Sequence, residues 1–121
     1  MFRRFAKGRR RPRVPGAMNR LEREYGDHLA VLHASGDVEW FAFEAVKLKL
    51  ADKTFYTPDF IVMAKDGVLE LHEVKGHWED DARVKVKVVA SLFPFRVRCI
   101  KARGKRDGGG WVEEVLTHDL P

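Results

Sequence analysis

The sequence predicts an α/β fold, one mixed sheet with helices on its faces. Three observations carry this. Apolar residues recur at three- and four-residue steps in two stretches, Met18, Leu21, Tyr25, Leu29, Leu32 and then Ala82, Val86, Val89, Phe93, which is the helical period. Other stretches alternate apolar with polar residues, as strands do. The chain has 121 residues, 45% hydrophobic and 34% charged, enough for one domain with its own core and no staples.

The elements follow in order. Residues 1–16 hold seven basic residues and no acid, punctuated by Pro12, Pro15 and Gly16. They read as a basic flexible arm, leaving residues 17–121 as the domain. The rest of the chain has 16 basic and 18 acidic residues, so the net charge of +5 belongs to the arm. Residues 18–34 read as a helix. Gly36 stands where a C′ glycine belongs, and Gly26 weakens the interior. Strands are expected at 45–51, at 55–64 (entered through Thr57-Pro58) and at 68–75, the last two joined through Lys65-Asp66-Gly67. Residues 79–93 carry both a strand-like alternation, Val84, Val86, Val88, and the helical stripe. Leading acids and the stop at Pro94 decide for a helix. A strand follows at 95–102, then a polar glycine-rich loop to residue 110. The end, 111–121, reads as a strand or a short helix.

Composition removes several classes. No apolar run approaches the roughly 18 residues of a membrane span. A single cysteine, Cys99, excludes a disulfide framework or a Cys-rich zinc site. The histidines form no zinc pattern, and there is no phosphate-binding Gly-x-x-x-x-Gly-Lys loop. The basic N-terminus lacks the apolar stretch of a secretory signal, so a reducing, cytoplasmic location is expected. The arm itself suits a polyanion such as DNA, through counterion release, or serves as a solvated extension.

The chemistry concentrates in Asp59, Glu73 and Lys75. Strand alternation puts Glu73 and Lys75 on one face and Val74 on the other. A two-residue turn between the strands would set Asp59 opposite Val74. A three-residue loop ending in Gly67 would set it opposite Glu73, and such loops favour glycine at that position. Two facing carboxylates repel unless a cation lies between them. Oxygen ligands suit Mg²⁺ or Mn²⁺, and Lys75 would orient water and stabilise developing charge. The plainer reading is a polar strand end and a surface Glu–Lys pair. It must put three charges on one face of an otherwise apolar hairpin.

Pro58-Asp59 followed by Glu73-Val74-Lys75, in this element order, resembles the PD-(D/E)XK nuclease superfamily. The stretch from Met18 to about Arg103 is similar to small phage- and prophage-encoded, Holliday-junction-resolvase-like members. It carries their helix with Glu22 and Tyr25, their Tyr56-Thr57-Pro58-Asp59-Phe60 strand and their Glu73-Val74-Lys75-Gly76 strand end. The resemblance implies a restriction-endonuclease-like core: a helix, a three-stranded meander, a helix and a fourth strand. It implies metal-dependent hydrolysis of DNA phosphodiesters, leaving 5′-phosphate and 3′-hydroxyl ends, with branched DNA among the substrates. Asp59, Glu73 and the Val74 backbone carbonyl would hold one or two Mg²⁺ or Mn²⁺ ions, and Lys75 would handle the water. Glu22 would complete the site, with Glu24 as substitute, although Asn19-x-x-Glu22 also reads as a capping box.

Nucleic-acid contacts are expected from Arg9, Arg10, Arg11 and Arg13 of the arm, and from His77, Lys85 and Lys87 near the site. For Arg83, Lys85 and Lys87 a solvated helix face is the plain alternative. Asp80 and Asp81 suit the start of their helix, with a metal role as the lesser reading. His72 and Trp78 read as packing residues. The rival to the nuclease is a catalytically silent nucleic-acid-binding module. A further variant is a nicking or packaging-associated phage nuclease working with replication, recombination or packaging proteins. A resolvase would be a homodimer with two active sites.

Overall fold

The computed structural model describes residues 17–116. The arm, with Arg9, Arg10, Arg11 and Arg13, and residues 117–121 lie outside the described residues. The described chain forms a mixed α/β fold. Its elements are α1 (Arg20–Ala34), β1 (Val38–Phe43), β2 (Leu48–Ala51), β3 (Thr54–Tyr56), β4 (Phe60–Ala64), β5 (Leu69–Lys75), α2 (Asp80–Leu92), β6 (Arg96–Ala102) and β7 (Trp111–Leu116). A 3₁₀ turn at Lys105–Asp107 precedes β7. No helix among the described residues is long and apolar enough to cross a membrane.

α1 opens with a capping box, the alternative reading of Glu22. The Asn19 side chain accepts from the Glu22 N–H at 2.8 Å and Glu22 Oε1 accepts from the Asn19 N–H at 2.9 Å. It closes at Gly36 (φ +88°). There the Gly36 N–H donates to the His33 carbonyl and the Asp37 N–H to that of Leu32, the paired bonds of a Schellman motif.

Five strands make one sheet in the order β1-β4-β5-β6-β7, and β2 and β3 make a separate two-stranded ribbon. All pairs in the main sheet are antiparallel except β5 with β6, which are parallel. A parallel pair needs a crossover, and α2 supplies it. The sheet has a core on each face. Tyr25, Leu29, Val38, Phe60, Val62, Val74 and Ile100 pack on the α1 side. Tyr56, Ile61, Leu71, Val86, Val89, Ala90, Val97 and Cys99 pack on the α2 side. Neighbouring residues of β4, β5 and β6 fall into opposite cores, as the two-residue strand period requires.

Three expectations need correction. The first strand of the meander is Val38–Phe43, which the sequence reading passed over. Residues 45–51 do not join the main sheet; part of that stretch is β2, in the ribbon. The single strand expected at 55–64 is two, β3 and β4, parted at Thr57-Pro58-Asp59. Proline has no N–H for a ladder, and the chain bends there out of the ribbon into the sheet. Asp59 therefore stands at the entrance to β4 rather than mid-strand. The stretch after the polar loop resolves to a strand, β7.

Candidate active site

Asp59 precedes β4 and Lys75 ends β5. Because β4 and β5 are antiparallel, both lie at the same end of the sheet. Their register pairs Phe60 with His72 and Met63 with Leu69. The next pair along is Asp59 with Glu73. The three-residue loop sets this register: Ala64 N–H donates to the Val68 carbonyl, Gly67 N–H donates to the Ala64 carbonyl, and Gly67 has φ +85°. One residue fewer would have turned Asp59 away from Glu73.

Both carboxylates are buried, Asp59 at 4% and Glu73 at 7% exposure. They are braced by different donors. Asp59 Oδ2 accepts from the Val74 N–H at 2.8 Å. Glu73 Oε1 accepts from the Tyr56 hydroxyl at 2.5 Å and from the Asp59 N–H at 3.3 Å. Glu73 Oε2 lies 3.3 Å from Lys75 Nζ. The second oxygen of Asp59 has no such donor among the described residues. Burial, reinforced by the Glu73 charge, pushes the Asp59 carboxyl up to about 8, against the opposing Val74 hydrogen bond and Lys75. The Tyr56 hydroxyl is pushed upward by burial and by Glu73, so it stays a donor.

A cleft of about 220 Å³ opens over this pair, lined by Tyr56, Thr57, Asp59, Glu73, Lys75, Ala82, Lys85 and Val86. α2 forms its far wall. Lys85 reaches over it with Nζ 5.7 Å from the Tyr56 ring centroid.

Asp59, Glu73, Lys75 and Lys85 thus line one cleft. Glu22 is buried at 3% exposure. One of its oxygens serves the helix cap, and its charge reaches Asp59, adding to the upward push. Glu24 is exposed and paired with Arg20 at 3.0 Å. Val74 gives its N–H to Asp59. In an extended strand the N–H and C=O of one residue project to the same side, so its carbonyl also faces β4. His77 and Lys87 are exposed and do not line the cleft. Asp80 and Asp81 occupy the first turn of α2, and Arg83 pairs with Glu114 at 2.7 Å. Trp78 packs at the rim of the α2 core.

For a divalent cation the donor set is hard oxygen, as Mg²⁺ and Mn²⁺ prefer. The unbraced Asp59 oxygen and Glu73 Oε2, the latter shared with Lys75 Nζ at 3.3 Å, are the oxygens such an ion would take. A cation there would offset the burial and the Glu73 charge that together raise Asp59. Among the described residues no three His, Cys, Asp or Glu side chains form a ligand group, and the carboxylates that face one another here are these two. Two fit an ion that keeps several waters.

The opposite face of β5 holds a cluster the sequence reading did not assemble. His72 is buried, with Nδ1 2.6 Å from the Tyr25 hydroxyl and Nε2 2.9 Å from Glu70 Oε1. Glu70 also accepts from Arg96 at 2.6 Å and from Arg98 at 2.7 and 3.2 Å. Burial would raise the Glu70 carboxyl, but bonds from His72, Arg98 and Arg96 outweigh it and hold the group at about 2. Both ring nitrogens of His72 are thus engaged within this cluster. The one available signal was alternation: Glu70 and His72 share a strand face, as do Arg96 and Arg98. Compared with protein-family models, curated proteins and solved structures, the chain matches none.

Proposed function

We propose that this chain is a Mg²⁺- or Mn²⁺-dependent endonuclease of the PD-(D/E)XK type, with a restriction-endonuclease-like core, that hydrolyses DNA phosphodiester bonds. The observation that carries this reading is the buried Asp59–Glu73 pair beside Lys75 in an open cleft. Two adjacent buried carboxylates cost stability in an unliganded fold, and strongly displaced carboxyls in a cleft concentrate at functional sites. The order α1, β1, β4, β5, α2, β6, with β5 parallel to β6, supports the core assignment.

In this reading Asp59 and Glu73 hold the ion, with the Val74 carbonyl and Glu22 beside them. A bound divalent cation polarises a phosphoryl oxygen and acidifies water. Tyr56 and the Asp59 N–H fix one oxygen of Glu73, so the other keeps its direction. Lys75 orients the attacking water and offsets charge that grows on the phosphoryl group. Lys85, across the cleft, and the basic arm hold the backbone without reading sequence. The products carry 5′-phosphates and 3′-hydroxyls. A form that resolves branched DNA would act as a two-fold dimer in the cytoplasm, alongside phage recombination or packaging proteins.

The rival is a silent DNA-binding module. Its support is the commitment of a Glu22 oxygen to the helix cap. One assay separates them: linear, nicked and four-way-junction DNA with Mg²⁺, Mn²⁺ or EDTA, wild type beside Lys75→Ala. The nuclease gives metal-dependent cuts that vanish in the variant, and junction preference selects the resolvase. Metal-independent binding with no cuts on any substrate selects the module.

A further inference from the structure

The ribbon β2–β3 is inserted between β1 and β4, at the sheet end that holds the site. Its inner face carries Leu48 and Leu50, packed with Tyr56 against the α2 core. Its outer face is of another character. Leu48 pairs with Tyr56 and Lys49 with Phe55, so Lys49 and Phe55 share the outward side. By alternation Lys47 joins them. Lys53, with φ +55°, caps the ribbon at its turn. Phe55 is 44% exposed, and Lys47 Nζ sits 4.5 Å from its ring centroid. Among the described residues Lys47, Lys49 and Lys53 have no carboxylate within ion-pair distance.

We propose that the outer face of this ribbon is a nucleic-acid contact for an unpaired strand flanking the scissile phosphate: Phe55 stacks on a base while Lys47 and Lys49 meet the adjoining phosphates. The inference rests on the nuclease reading of the cleft and names the substrate class it favours. Three physical points support it. An exposed ring among lysines is a stacking platform for single strands, whereas a duplex keeps its base faces hidden. Phe55 stands four positions before Asp59, at most about 14 Å of chain, so a strand cut at the cleft passes within a few nucleotides of the ring. Tyr56, next to Phe55, is hydrogen-bonded to Glu73, which ties ribbon and site together. The charge argues against a second copy as occupant, because a two-fold ribbon-on-ribbon contact would set lysine against lysine.

The test is binding, with cleavage silenced. Fluorescence anisotropy in EDTA compares the full chain on a single strand, a duplex and a duplex with a single-stranded arm, across a salt series. Lys47→Ala/Lys49→Ala is expected to weaken single-strand binding roughly tenfold and to flatten the salt slope by about 1.4, two phosphate contacts at ~0.7 each. Phe55→Leu, which keeps bulk and loses the ring, should weaken the single strand and the armed duplex roughly tenfold and the plain duplex less than twofold. Phe55→Trp should restore binding. Lys65→Glu, at the other end of the sheet, is the charge control. Wild-type affinity in the ribbon variants, or an equal loss in Lys65→Glu, overturns the proposal. So does Phe55→Leu dissociating a dimer in sedimentation while single-strand affinity stays unchanged. The cleft is judged separately by Mg²⁺-dependent cleavage in wild type against Lys75→Ala. Ribbon variants that bind normally while that cleavage persists overturn the ribbon and leave the nuclease standing.

Discussion

Strand β5 buries a glutamate on each of its faces, Glu70 toward α1 and Glu73 toward α2, and the two are treated in opposite ways. Glu70 is met by two guanidinium groups and an imidazole, and its carboxyl is held at about 2. Glu73 is met by a second carboxylate, and Asp59 is driven up to about 8. The strand is the same and the burial is similar; the neighbours differ. A buried charge whose partners saturate it belongs to the fold. A buried pair of carboxyls that share one site pushes the proton affinity of one of them up, and in the nuclease reading proposed above that is the place for a cation.

The sharpest way to break the comparison is catalytic. Lys75→Ala, Asp59→Ala and Glu73→Ala should each cut metal-dependent cleavage by at least ~100-fold while keeping a cooperative melt. Glu70→Gln should leave the cleavage rate within a few-fold of wild type once the chain is folded. Equal loss of activity across both faces, measured as single-turnover rates, would erase the distinction.

Stability should show the reverse order. Glu70→Ala leaves Arg96 and Arg98 without their carboxylate and should cost about 2–3 kcal/mol in urea unfolding. This is below the ~3–5 kcal/mol of a fully buried pair, because both arginines reach solvent. The Glu70 contribution has a definite pH signature. Its carboxyl is depressed in the folded state, so the stabilisation is present above the ordinary value of ~4.3 and disappears as pH falls toward 2.

Tyr56→Phe removes the hydroxyl that braces Glu73 and should lose about 1.5 kcal/mol. It should also raise the Mg²⁺ concentration for half-maximal cleavage several-fold, since Glu73 then loses its fixed direction. A titration of rate against Mg²⁺ checks this, and an unchanged midpoint would show that the hydroxyl serves packing alone.

The smallest expected effect is the most diagnostic. The folded state holds a proton on Asp59 that the unfolded state releases near ~3.9. Between that value and about 8 the folded chain binds more protons, so stability from this group falls as pH rises. In EDTA at pH 8.5, Asp59→Asn should therefore melt higher than wild type, by about 4–8 °C per kcal/mol relieved. Adding Mg²⁺ should raise the wild-type midpoint and leave the variant's nearly unmoved. A variant less stable than wild type in EDTA would mean that the Asp59–Glu73 pair is not strained.

Much of this was written locally. The capping box at Asn19 and Glu22, the Gly36 stop and the three-residue hairpin loop all depend on contacts within five positions, and each formed as read. For α2 the stripe prevailed over the strand-like valines because Val86, Val89 and Ala90 could be buried together while Val84 and Val88 stay exposed. β1 escaped notice because a register irregularity between Val38 and Trp40 interrupts its alternation. Its β-prone Trp40-Phe41-Ala42-Phe43 run was the remaining signal. The Glu70 cluster escaped for another reason. Its arginines face Glu70 and His72 through the parallel register of β5 and β6, and a crossover helix stands between them in the chain.

What the sequence by itself determined is the material of the site and its local geometry: Asp59, Glu73 and Lys75, and a turn whose glycine fixes the register that sets two carboxylates face to face. Tertiary structure decided which charges are satisfied. Compensation of a buried charge depends on groups distant in sequence: Arg96 and Arg98 came to Glu70 across the sheet, Tyr56 came to Glu73 from the ribbon, and among the described residues no guanidinium is bonded to Asp59. Local preferences act over a few residues, whereas solvation and Coulomb forces act through space, so only the packed chain could separate the saturated Glu70 from the facing pair Asp59 and Glu73.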